Sequence, residues 1–131
     1  MAQDIIIAGD KAQPLGRYPH TRKIGPWIFV SGTTGFDYAK MTISHDVVVQ
    51  CEQAVHNIDA ALRQADASMA DIVRVHYILP RREDFEPCWP VLKKHFGEIR
   101  PASTMIVAGL ADPRMKIEIE VTARRRQAHP S

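Results

Sequence analysis

The chain has 131 residues, 45% of them hydrophobic and 24% charged, with a formal net charge of +2. That length predicts one domain, residues 1–131, with a core of its own. So small a charge argues against the basic surface that nucleic acid or an anionic membrane needs. No apolar run approaches the roughly 20 residues of a membrane helix. The opening "MAQDIIIAGD" has no basic n-region and does not read as a signal peptide. Cys51 and Cys88 form no CxxC pair, which predicts free thiols and a cytoplasmic protein.

In chain order, "IGPWIFVSG" after Gly25 is a short apolar run rich in aromatic and β-branched residues, and it predicts a strand. "SGTTG" predicts the turn that ends it, with backbone N–H groups offering a seat for an anion. From Asp46 to Ala65, Val48, Cys51, Val55, Ile58, Leu62 and Ala65 recur at helical spacing, with Ser44 or Asp46 as the cap. "DIVRVHYILP" predicts a strand that stops at Pro80. Phe85, Cys88, Trp89, Leu92 and Phe96 predict a second helix ending at Gly97. Pro87 suits a first turn, whereas Pro90 removes a hydrogen bond, so a late start or an irregular first turn is expected. "RPASTMIVAGLADPRMKIEIEVTARRR" reads as two strands joined by a turn. In the second, Met115, Ile117, Ile119, Val121 and Ala123 point one way, and Lys116, Glu118, Glu120, Thr122 and Arg124 the other.

This order predicts an α+β fold, two helices packed on one face of a mixed sheet. Yet "WIFV" and "VRVHYIL" carry apolar side chains on both faces. Two helices cover only one, and exposed apolar area on that scale marks an interface, so other subunits are expected to cover the second.

Few residues carry chemistry on spacing alone. The six histidines form neither HxxxH nor HExxH, which gives a metal site no support. Ser31 has no base nearby in sequence and makes no readable triad. Cys51 belongs to the helix stripe, Cys88 is expected to be partly exposed, and Trp89 reads as a core or interface anchor. Arg124 to Arg126 read as a solvated strand end.

Three stretches, taken together, resemble the reactive-intermediate deaminase superfamily, the RidA/YjgF family. "LGRYPHTRKIGPWIFVSGTTG" is similar to its G-x-Y segment and a strand ending in Ser-Gly. "NIDAALRQADASMADIVRVHYIL" with "DFEPCWPVLKKHF" resembles its N-x-x-x-x-L helix, D-I-V-x strand and D-F helix. "RPASTMIVAGLADPRMKIEIEVTA" resembles its P-A-R-[ST] strand, Leu-Pro turn and I-E-I-E strand. The resemblance implies a chorismate-mutase-like fold (bacillus type) and a homotrimer with a central barrel and pockets between subunits. It also implies hydrolysis of 2-imino or enamino acids to 2-keto acids and ammonia, with no cofactor and no metal. Carried over, Tyr18, Ser31 and Gly32 match the pocket, and Glu120 matches the carboxylate that positions water.

Two positions depart from the pattern. Ser103 stands where an arginine grips the substrate carboxylate, and Trp89 stands where the D-F helix has an asparagine. A guanidinium offers a charged, bidentate fork, and each charge-assisted bond contributes roughly 1.5–3 kcal/mol. Losing two costs about 3 kcal/mol or more, a factor of about a hundred in kcat/KM. Arg17, beside Tyr18, is the first candidate to stand in. Arg100 points to the opposite face of an extended strand unless the chain bends, and Arg114 belongs to a turn. The leading expectation is a deaminase-type small-molecule hydrolase acting on an enamine, an imine or a similar C–N compound, distinct from the standard 2-imino-acid deaminase. A non-catalytic, ligand-binding or regulatory trimer is the alternative. An RNA-directed translation inhibitor is third, because the net charge disfavours it.

Overall fold

A computed structural model describes residues 21–126, together with the backbone of 5–7. The elements are β1 (Ile5–Ile7), β2 (Thr21–Ile24), β3 (Trp27–Thr34), β4 (Phe36–Asp37), β5 (Thr42–Ile43), α1 (Val47–Gln64), β6 (Ile72–Leu79), α2 (Phe85–Phe96), β7 (Ala102–Val107) and β8 (Glu118–Arg124). Short 3-10 turns, Met69–Asp71 and Arg82–Asp84, lead into β6 and α2. Six strands form one mixed sheet in the order β1-β2-β3-β8-β6-β7, antiparallel except for the parallel pair of β6 and β7. The α+β class and the two helices are as the periodicity predicts.

The helix stripe becomes the core. Cys51, Ala54, Val55, Ile58, Ala61 and Leu62 of α1 pack with Ile28, Val30, Val75, Ile119, Val121 and Ala123 of the sheet and with Cys88, Leu92 and Phe96 of α2. Burying each large side chain contributes roughly 1.5–3 kcal/mol. Asp46 is the cap: its Oδ1 accepts from the backbone N–H of Val48 at 2.8 Å and of Val49 at 3.4 Å. Gln50, fully buried, ties α1 to two loops by donating to Ser44 O and Arg114 O and accepting from Lys116 N.

Several expectations change or are refined. "SGTT" is not a turn: β3 continues through it to Thr34, because Thr33 and Thr34 pair with Ile119 and Glu118. The two strands expected in 100–126 are present as β7 and β8, but what joins them is a ten-residue connection, 108–117, that carries the chain past β6, which lies between them. Cys88 is fully buried, its Sγ 3.7 Å from Val47 O. The α2 helix starts early, at Phe85, so Pro90 lies inside it, and the irregularity is the 3-10 turn ahead of it. Arg100 adopts φ 53°, and its N–H donates to Phe96 O at 3.0 Å. The chain therefore bends there, in a left-handed conformation that costs a non-glycine residue about 1–2 kcal/mol.

One sheet face carries the helices. The other keeps apolar side chains in the open: Ile24, Trp27, Phe29, Val73 and Ile106 are each at least 40% exposed. Among the described residues no helix is long and apolar enough to cross a membrane.

Candidate functional site

The register of β3 against β8 slips between Val30, opposite Val121, and Thr33, opposite Ile119. Ser31 and Gly32 therefore share the space opposite Glu120, a bulge of two residues against one. Bulges re-aim side chains, and this one brings Glu118 onto Gly32. A Cβ at residue 32 would stand 2.6 Å from the Glu118 Cδ, so only glycine lets the carboxylate lie against the backbone there. Burial, and secondarily the charge of Glu120, pushes the Glu118 carboxyl above its ordinary value. Glu120 is exposed, and its Oε1 lies 2.9 Å from His76 Nδ1 on β6, directly across the register. A hollow beside this group is lined by Arg22, Phe29, Ser31, Glu120 and Thr122. A carboxyl held partly out of water can exchange a proton with a bound water or a basic nitrogen.

Ser103 lies elsewhere. It pairs in register with Val75, whose side chain is buried under the helices, so it shares the helix-bearing face. Its hydroxyl donates to Pro101 O at 3.0 Å. Beside it a groove of about 310 Å³ runs between β7 and α2, lined by Tyr77, Phe85, Trp89, Phe96, Arg100 and Ser103 among others. Its aromatic floor is continuous: Tyr77 stands 5.8 Å from Phe85 and 6.1 Å from Phe96, and Phe85 stands 6.0 Å from Trp89 between ring centroids. Burial raises the Tyr77 phenol above its ordinary value, with Ser103 opposing in part, so it remains a neutral donor. Trp89 is 56% exposed, a groove wall and not a core anchor.

Within one chain the sequence-derived residues thus fall into two groups. Ser31, Gly32 and Glu120 meet on the open face, and Ser103 and Trp89 meet in the groove on the helix side. Tyr18 and Arg17 lie outside the described residues. Arg114 is committed to Asp112 at 2.8 Å and lies over the Phe36 ring. The arginines of the tail are also engaged: Arg124 lies over Trp27, Arg125 pairs with Asp66, and Arg126 pairs with Asp71. Glu118 and His76 join the site without being marked as candidates by the sequence, and Arg100 reaches the groove through the bend its rescue requires. Glu118 was readable in the strict alternation, which puts it on the face of Glu120. His76 depends on the register of β6 with β8, which no spacing reveals, whereas the offset of Arg100 from Ser103 already requires the bend that the structure has.

Residues 9–125 match the family described as Endoribonuclease L-PSP. The chain belongs to this family, part of the RidA/YjgF superfamily. A RutC family protein of Pyrococcus abyssi is 31% identical over 124 residues, covering 94% of this chain and 98% of the relative. A 2-iminobutanoate/2-iminopropanoate deaminase of Dermatophagoides farinae is 25% identical over 109 residues, covering 82% of this chain and 85% of the relative. The crystal structure of Rv2704 from Mycobacterium tuberculosis, a member of the YjgF/YER057c/UK114 family, superposes with a TM-score of 0.79 at 30% identity, covering 93% of this chain and 99% of that one.

Proposed function

We propose that the protein is a small-molecule hydrolase of the deaminase type, working as a cytoplasmic homotrimer on an imine or enamine. The observation that carries this reading is the half-buried Glu118 seated on Gly32, where burial pushes its carboxyl above the ordinary value and makes its carboxylate a stronger base. The relatives named as deaminases support the reaction class. In this reading Glu118 takes a proton from water, whose oxygen adds to the C=N carbon. The proton passes to nitrogen to give the carbinolamine, and a second transfer through Glu118, from the new hydroxyl to nitrogen, lets the C–N bond break, giving a carbonyl compound and ammonia. Glu120 and His76 hold the charge balance beside it, and Ser31 lines the approach. Ser103 offers a neutral hydroxyl in place of a guanidinium, so small 2-imino acids are poor substrates.

The groove and the bulge lie on opposite faces of one sheet, so a protomer alone does not join them. In a trimer with the open faces turned inward, the groove of one subunit meets the bulge of the next. The exposed apolar residues of the open face support this assembly. The test supplies imines from an amino-acid oxidase and follows ammonia. Glu118→Gln is expected to lower the rate about a hundredfold, the usual worth of a positioned acid–base group. An undiminished rate contradicts the role of Glu118. Absence of ammonia release from every imine offered favours the ligand-binding trimer, to which the lack of an arginine at position 103 points.

A further inference from the structure

The bend at Arg100 brings its side chain to the same groove as Ser103. Lys93, one turn before Gly97 on α2, reaches that rim too. Among the described residues neither cation has a carboxylate partner, although the other arginines around the sheet end are paired or stacked. Between the two cations the floor is aromatic and apolar: Tyr77, Phe85, Trp89 and Phe96. A non-glycine residue held at positive φ marks a place where the surroundings impose a conformation, and such strain gathers at ligand clamps. Here the bend places Arg100 on the wall of a largely aromatic groove.

We propose that this groove binds a carboxylate bearing an aromatic side chain, its ring on Trp89 and Phe85 and its anion on Arg100, with Lys93 as the second cation. The inference rests on the deaminase reading for its meaning: the groove then selects imines of aromatic amino acids over those of small ones. Arg100 acts as a specificity residue, taking the anion that Ser103 cannot hold by charge. A volume of about 310 Å³ suits a single ring with a short acid arm. Aromatic stacking supplies contact area, and the fixed charge gives orientation.

The experiment is calorimetric titration of the full chain with phenylacetate, phenylacetamide and acetate. Phenylacetate is expected to bind at least about tenfold tighter than the neutral phenylacetamide, a difference that reports the anion contact. Acetate, lacking the ring, is expected to give no measurable binding. Arg100→Gly removes the cation and accepts φ 53° without strain. It should keep the melting temperature and lose about tenfold in phenylacetate affinity, with phenylacetamide unchanged. Arg100→Gln serves the same purpose if the glycine variant fails to fold. Equal binding of phenylacetate and phenylacetamide, or unchanged affinity in a folded Arg100 variant, overturns the proposal. Ammonia release is read separately, with the imine of phenylalanine against that of alanine. No release from either, with phenylacetate still bound through Arg100, overturns the reaction and leaves the groove. Release with no phenylacetate binding overturns the groove and leaves the reaction.

Discussion

Glu118 keeps its proton longer than an exposed glutamate because burial disfavours its charged form and Glu120 stands on the same strand face. A raised folded-state value makes the neutral form the stabilising one. That contribution is full below the unfolded value near 4.5 and is lost as pH rises through the folded value. Glu118→Gln, always neutral, is therefore expected to melt higher than the wild type at pH 8 and close to it at pH 4. Melting curves at the two pH values check this, and a wild type that gains on the variant as pH rises would contradict the shift. The position was readable from "IEIE", whose alternation sends Glu118 and Glu120 to one face. Which of the two loses water was not readable, because that depends on the bulge at Ser31 and Gly32 and on the missing Cβ.

Among the elements, α1 was the most legible: its apolar stripe is a local property of the chain, and of the two cap candidates, Ser44 and Asp46, the structure uses Asp46. Asp46→Ala leaves the N–H groups of Val48 and Val49 without their acceptor and is expected to cost about 1 kcal/mol in chemical denaturation. The α2 helix was legible in its stripe and misread at its start. Pro90 lies at an exposed position inside it, where it removes the bond to Glu86 O. Pro90→Ala is expected to raise stability by about 1 kcal/mol or more, less than the full helix-interior penalty because proline also restricts the unfolded chain. A loss of stability would mean that the ring packs against something the helix needs. The "SGTT" run shows the opposite failure. Glycine and hydroxyl residues suggest a turn, yet the ladder with β8 carries the strand through them. Long-range pairing decided that element, and spacing within the run held no trace of it.

At the scale of the molecule, the open sheet face sets the main constraint. Phe29 and Trp27 are 42% and 40% exposed on a face that no helix covers among the described residues, and apolar patches of this kind mark contacts with other chains. Light scattering at micromolar concentration is expected to give three times the mass of the 14.7 kDa chain. Phe29→Glu should lower that mass, because it would bury a charge in the contact. The resemblance between motifs implied such an assembly from the sequence, but the division of the site between the two sheet faces became visible only with the register of β6, β7 and β8. In the proposed trimer Ser103 and Trp89 of one subunit complete the site around Glu118 of the next, and mixing of variant subunits is the decisive experiment. Glu118→Gln removes the acid–base group, and Ser103→Trp fills the groove at an exposed strand position. Each variant alone is expected to release almost no ammonia from the imine substrate. Co-expressed in equal amounts, they should recover about a quarter of the wild-type rate, since one interface in four then pairs an intact groove with an intact Glu118. A mixture that stays as inactive as its parents, with mixed trimers confirmed by mass, would contradict a site shared between subunits.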